Sequence, residues 1–117
     1  MLLNDSEESR NALCQKVEEY YKNKNKNIYI FSMPQFDRNE EYEISFLVNR
    51  KHVVKYCIGH DRGIYLCAVL LAIGPHYFGP ADFWSYKDSE RFTLEASTEG
   101  VQKNLELLDE FLAYTNI

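Results

Sequence analysis

Three histidines, three cysteines and one acid beside a histidine are the side chains in this 117-residue chain best suited to bond-making chemistry. His60-Asp61 sits between Gly59 and Gly63, a setting fit for an acid/base pair, because loops on rigid scaffolds carry function. Only His52 and His76 could join it as imidazoles, and neither stands at a spacing diagnostic of a metal or nucleophile site. Gly, His, Asp and Arg also suit the geometry of a five-residue hairpin turn, and that reading is preferred. Cys57 and Cys67, placed on neighbouring strands and the same sheet face, could form a redox pair. Small reduced cysteines are more commonly core residues, and only Lys55 stands near enough in sequence to favour a thiolate. No CxxC pair occurs, and the expectation is a protein without cofactor or metal and without catalysis.

Composition narrows the class. The chain is 45% hydrophobic and 15% aromatic, enough for a packed core and too apolar for a disordered segment. Its length predicts a single domain over residues 1–117. Thirteen Lys and Arg against eighteen Asp and Glu give a formal charge of −5. That balance argues against general binding to nucleic acid or to an anionic membrane. The amino end lacks a basic stretch followed by an apolar core, and the longest apolar run, Ile64 to Ile73, is too short to span a bilayer. Together with an odd number of cysteines, these features predict a cytoplasmic protein.

The elements that would position any site follow from periodicity. Asp5 or Ser6 caps a first helix carrying Leu13, Val17, Tyr20 and Tyr21 at helical spacing. The hexad Lys22 to Asn27 is a polar connector, and Ile28 to Phe31 is a strand ended by Pro34. Asp37 to Glu40 form a turn. From Glu41 to Val48 polar and apolar residues alternate, with Tyr42, Ile44, Phe46 and Val48 on one face. A three-residue turn at Asn49-Arg50-Lys51 sets Phe46 opposite Val54, Ile44 opposite Tyr56 and Tyr42 opposite Ile58. This register alone keeps the apolar face consistent. The same parity argument across Gly59–Gly63 puts Ile58 opposite Ile64 and Tyr56 opposite Leu66. Ile64, Leu66, Ala68, Leu70 and Ala72 would then face the core.

Residues 64–73 are apolar on both faces, so this strand is covered twice or exposes a patch that something else covers. Gly74 to Pro80 read as a turn-rich loop. Asp82 to Tyr86 and Phe92 to Ala96 read as a second hairpin, with Trp84 and Tyr86 facing Leu94 and Phe92. Ser97 or Thr98 caps a last helix striped by Val101, Leu105, Leu108 and Leu112, widened by Leu107 and Phe111. The expected class is α+β: an antiparallel sheet of five to six strands, flanked by an N-terminal and a C-terminal helix.

Charge is segregated along the chain. Residues 37–45 hold four acids and one base, residues 82–117 eight and three, and residues 49–62 one acid and four bases. Tyr77, Phe78 and Trp84, bracketed by Gly and Pro, have the character of rigid anchors for a partner.

Asp82-Phe83-Trp84-Ser85-Tyr86, followed by the run from Phe92 through Glu95 and Gly100 to Leu105, resembles the immunity proteins of bacterial polymorphic-toxin and contact-dependent inhibition systems. The likeness covers about the last third of the chain. It implies a protein that binds one cognate toxin domain, often a nuclease, and blocks its active site or a nearby surface. These families share no catalytic signature, so no functional residue is carried over. The expected partner is accordingly a basic toxin domain. The expected contacts are Glu41, Glu43, Asp82, Asp88 and Glu90 around Tyr77, Phe78 or Trp84. The alternative is a homodimer or a small-ligand-binding domain built on strand 64–73, with Val53 and Cys57 beside it and Val69 and Leu71 on the exposed face. An enzyme using His60, Asp61 and His76 ranks last.

Overall fold

The computed structural model describes residues 1–34 and 41–115. The elements are α1 (Glu7–Asn23), β1 (Ile28–Ser32), β2 (Tyr42–Val48), β3 (His52–Asp61), β4 (Ile64–Ile73), β5 (His76–Phe78), α2 (Pro80–Phe83), α3 (Tyr86–Ser89) and α4 (Thr98–Tyr114). The five strands form one antiparallel sheet in the order β1-β2-β3-β4-β5, so the fold is α+β as expected. The turn expected at Asp37–Glu40 lies outside the described residues.

Helix boundaries follow from their caps. Ser6 accepts the Ser9 N–H at the start of α1, and Ser97 accepts the Gly100 N–H at the start of α4, each satisfying a donor the helix leaves open. Gly100 is obligatory there, because a Cβ would meet the Glu95 carbonyl oxygen at 2.4 Å. Both long helices lie on one sheet face. Leu13, Val17 and Tyr21 of α1 and Val101, Leu105 and Leu108 of α4 share one core with Ile44, Phe46, Val54, Tyr56 and Ile58. Tyr21 packs on Phe46 with ring centroids 5.7 Å apart. Tyr20 donates its hydroxyl proton to Asp109, tying α1 to α4, and Lys26 reaches the same carboxylate at 3.2 Å.

The β2–β3 register is the one read from sequence: Phe46 pairs with Val54, Ile44 with Tyr56 and Tyr42 with Ile58. The β3–β4 register is different. Gly59, His60 and Asp61 remain in β3, and the turn holds only Arg62 and Gly63, at φ 51° and 83°. Two positive φ angles make the tight turn whose twist matches a hairpin. Ile58 consequently pairs with Cys67 and Tyr56 with Val69. Shifting the pairing parity turns every side chain of β4 over. Cys67, Val69 and Leu71 are therefore buried beneath the helices, while Ile64, Leu66, Ala68, Leu70 and Ala72 face away from them.

The residues after β4 also depart from expectation. Gly74, at φ 62°, lets the chain turn back, and His76–Phe78 add a short fifth strand. No hairpin joins 82–86 to 92–96. Pro80 at the start of α2 and Ser85 at the start of α3 make two single-turn helices instead. Ser85 accepts the Asp88 N–H and donates its hydroxyl to the Asp88 carboxylate at 2.8 Å. Residues 92–96 run extended beside β4, where the Cys67 N–H donates to the Leu94 carbonyl and Leu66 bridges Glu95.

A buried polar network locks this arrangement. Asn104 donates to the Tyr56 hydroxyl (3.1 Å) and the Thr93 carbonyl (2.9 Å), and accepts the Thr93 N–H at 2.9 Å. Tyr56 in turn donates to the Cys67 sulfur at 3.3 Å. Burial raises the Tyr56 and Cys67 pKa values, so both groups stay protonated and act as donors.

The observed parity makes a sharp mutational contrast. Val69→Lys places a charge in the core and should cost more than about 4 kcal/mol, enough to abolish a cooperative urea transition. Ala68→Lys, one residue earlier, should shift stability by no more than about 0.5 kcal/mol. Asn104→Ala should cost about 2 to 3 kcal/mol by stranding the Thr93 and Tyr56 groups.

Candidate functional site

With both helices on one side, the other sheet face has no second layer among the described residues. Strand alternation decides what it presents. One row crosses all five strands: Tyr29 pairs with Leu47, Leu47 with Val53, and Ala72 with Tyr77. Tyr29 is 63% exposed and Tyr77 38%, while Leu47, Val53 and Ala72 are half-buried between them. Phe31, at the register shift in β1, stacks with Tyr29 at 6.5 Å and 24°. The next row holds Ser45, Lys55 and Leu70, then comes Glu43, Cys57 and Ala68, and Glu41 lies beyond it next to Gly59. Ile64, 62% exposed, and Asp61 close that end.

Lys55 stands on the central strand of this face, second of its five outward positions after Val53. Its Nζ lies 4.0 Å from the centroid of the Tyr77 ring and 3.6 Å from Glu43. The ammonium is thus held flat by a cation–π contact and an ion pair. Cys57 donates its thiol proton to Glu43 at 3.7 Å. Burial, with the Glu43 charge and hydrogen bond adding to it, pushes the Cys57 thiol up to about 12.

Sequence-picked residues fall into separate places. Glu41, Glu43 and Tyr77 lie on the open face, where Lys55 links Glu43 to Tyr77 and Glu41 stands at the far end beside Gly59. Phe78 is on the opposite side of β5, paired with the buried Leu71. Asp82, Trp84, Asp88 and Glu90 lie on or beside α2 and α3. Trp84 packs on Phe92 and Phe111 (6.2 and 5.4 Å), and Asp88 is engaged by Ser85 and by Arg91 at 3.3 Å. Asp82 and Glu90 are exposed on these short helices. Sequence reading missed Tyr29, Phe31, Leu47 and the part played by Lys55, named Val53 only for the alternative surface, and assigned Leu70 to the core. Alternation of Tyr29 and Phe31 with Ile28 and Ile30 carried the signal for the first two.

The other constellations are not assembled. Cys57 and Cys67 point to opposite faces of the sheet, which removes the redox pair. His52 and His60 stand at opposite ends of β3, about 26 Å apart at ~3.3 Å per residue. His76 pairs with Ile73, at the far end of β4 from Ile64, the partner of Asp61. Among the described residues, no group of three His, Cys, Asp or Glu could hold a metal, and no helix is long and apolar enough to cross a membrane. A groove of about 390 Å³ lined by Arg91, Lys103, Glu106, Leu107 and Glu110 lies along α4, away from β4. No protein-family model, curated protein or solved structure matches the chain.

The Cys57 environment has a direct chemical consequence. Iodoacetamide at pH 8 should alkylate it far more slowly than a free cysteine, because the thiolate is the nucleophile and its population is suppressed. Glu43→Gln removes the charge and acceptor that help hold the proton, so its alkylation rate, followed by mass spectrometry, should rise.

Proposed function

We propose that this chain is a protein-binding domain of the immunity type, which neutralises a cognate basic toxin domain by docking it on the open sheet face. One observation carries this reading: among the described residues, helices cover the five-stranded sheet on one side only, with Tyr29, Phe31 and Tyr77 solvent-exposed on the other. Domains bury both faces of a sheet or leave one polar; a row of aromatic and aliphatic side chains left uncovered marks a contact surface.

The dimensions suit such a contact. The strands hold five, seven, ten, ten and three residues; at ~3.3 Å per residue and ~4.8 Å between strands they make a face on the order of 550 Å². A standard protein interface takes about 800 Å² from each partner, so the face with its rim is large enough. Glu41, Glu43 and Asp61 at one end and the formal charge of −5 would steer a basic partner toward it. Tyr29 and Tyr77 are anchors of low entropic cost, with two rotatable side-chain bonds each. A domain bound across this face would have its own surface covered over a comparable area, which is how steric inhibition works. The localisation expected for such a protein is the cytoplasm of the producing cell.

Affinity capture with the tagged chain from its native cells, followed by mass spectrometry, identifies the partner. The expected result is a near-stoichiometric basic domain that arrests growth when expressed alone. Co-expression of the wild-type chain should restore growth, and Leu47→Asp or Tyr29→Ala should fail to do so. Glu41→Lys with Glu43→Lys should slow association by about tenfold or more. Undiminished rescue by all these variants would remove the open face from the mechanism.

A further inference from the structure

Resting on the reading of the open face as a docking surface, we infer that its occupant is a different protein bearing an apolar ridge flanked by Lys or Arg, and that Lys55 bars a second copy of the chain from the same place. Symmetry supplies the first step. Two copies meeting face to face are related by a twofold axis lying in the interface, and a residue on that axis meets itself. Lys55 is on the central strand of the five, fourth of the ten residues of β3, with Ser45 on one side and Leu70 on the other. An in-plane twofold running along β3, or one running across the strands at the row of Ser45, Lys55 and Leu70, therefore sets Lys55 against Lys55.

Burying two ammonium groups against one another is costly, because both are desolvated while like charges face each other, and such a juxtaposition disfavours one partner relative to another. The ends of the face alone would favour self-stacking. Arg50 and Lys51 lie in the turn five and six positions beyond Ser45, and Glu41 four before it, so an axis across the strands near Ser45 would oppose unlike charges. Lys55 is the feature that decides against this arrangement.

A different partner meets no such conflict. The Lys55 charge is already matched by Glu43 at 3.6 Å and spread over the Tyr77 ring at 4.0 Å, so apolar groups can close over the stem. The row Tyr29–Leu47–Val53–Ala72–Tyr77 offers the apolar track. Glu41 and Asp61 are left for cations on the partner's flank. Asp61 is 71% exposed at its side chain, with Arg62 no closer than 4.0 Å.

The test uses the purified chain and needs no knowledge of the partner. Sedimentation at about 100 µM, a concentration that reveals contacts of micromolar affinity, should show wild-type monomer. Lys55→Leu combined with Glu43→Gln removes the central charges together and should convert the chain to a dimer. Adding Leu47→Asp should return that variant to monomer. Wild-type dimer broken by Leu47→Asp overturns the inference, as does a Lys55→Leu/Glu43→Gln variant that stays monomeric while retaining its urea transition. If that variant does not fold, Lys55→Met alone takes its place with the same two outcomes. For the partner's chemistry, a Leu/Lys amphipathic helical peptide should shift backbone amide resonances of β2 to β4. A Leu/Glu peptide of the same length should not. Equal shifts from both peptides, or none from either, overturn the assigned charge of the partner. These outcomes are separate from capture and growth rescue, which test the proposed function on its own.

Discussion

Which side of the sheet is dry depends on the two-residue turn between β3 and β4. Arg62 and Gly63 both adopt positive φ, and this closes the hairpin with Asp61 opposite Ile64. From that pairing alone, Cys67, Val69 and Leu71 go under the helices and Leu66, Ala68 and Leu70 go outside. A turn longer by one residue would invert the assignment, because the side-chain period of a strand is two. Either parity would bury apolar groups, so the hydrophobic effect by itself discriminates weakly between them. The polar network does discriminate. Only in the observed register does the Cys67 sulfur reach the Tyr56 hydroxyl, and Tyr56 reach Asn104 of α4. In the inverted register Tyr56 and Asn104 would be left with fewer partners in a low-dielectric core, at a cost of roughly 1 to 3 kcal/mol for each orphaned group.

That network also joins parts of the chain distant in sequence. Asn104 bonds both backbone groups of Thr93, which holds residues 92–96 along the edge of β4. Leu94 and Glu95 then cap β4 near Leu66 and Cys67, where the short β5 no longer reaches. Cys67 completes the link by donating to the Thr93 and Glu95 carbonyls at 3.3 and 3.2 Å. The exposed ion pair of Arg91 with Glu110 at 2.8 Å sits over the same region, yet exposed pairs contribute little in water. Buried hydrogen bonds, with α4 as their platform, fix the β4 edge.

Legibility in the sequence tracked how local each cause was. Ser6 and Ser97 stood among the cap candidates of the two long helices, and alternation from Glu41 to Phe46 set the β2–β3 register, because each signal lies within a few residues. Strand 64–73 had correct limits and no readable parity: a segment apolar at every position carries no period-two signal. The stretch Gly59–Gly63 offered two glycines, and the choice between a five-residue and a two-residue turn rests on β3 continuing through His60 and Asp61. Residues 80–89 misled through their aromatics, although Pro80 and the Ser85–Asp88 spacing were helix-start signals. For the candidate site, Glu41, Glu43 and Tyr77 were within reach of sequence reasoning. Phe78 goes to the other face by alternation once β5 is recognised as a strand, whereas the packing of Trp84 on Phe92 and Phe111 and the seat of Asp82, Asp88 and Glu90 on or beside two short helices follow from tertiary placement.

The open face itself reconciles two demands that pull against each other. A row such as Tyr29, Leu47, Val53, Ala72 and Tyr77 is apolar enough to bind, and by the same property prone to stick to its own copies. A charge at the rim would do little to prevent this, because a rim charge can turn to solvent. A charge on the central strand cannot escape, and Lys55 is pinned there by Glu43 and the Tyr77 ring. Its neutralisation by Glu43 within the same molecule keeps the desolvation cost low when an unlike surface closes over it. Against a symmetric copy, the two ammonium groups and their two carboxylates would have to be buried together. On this account the ion pair adds little to the stability of the isolated domain and instead selects what is allowed to cover it.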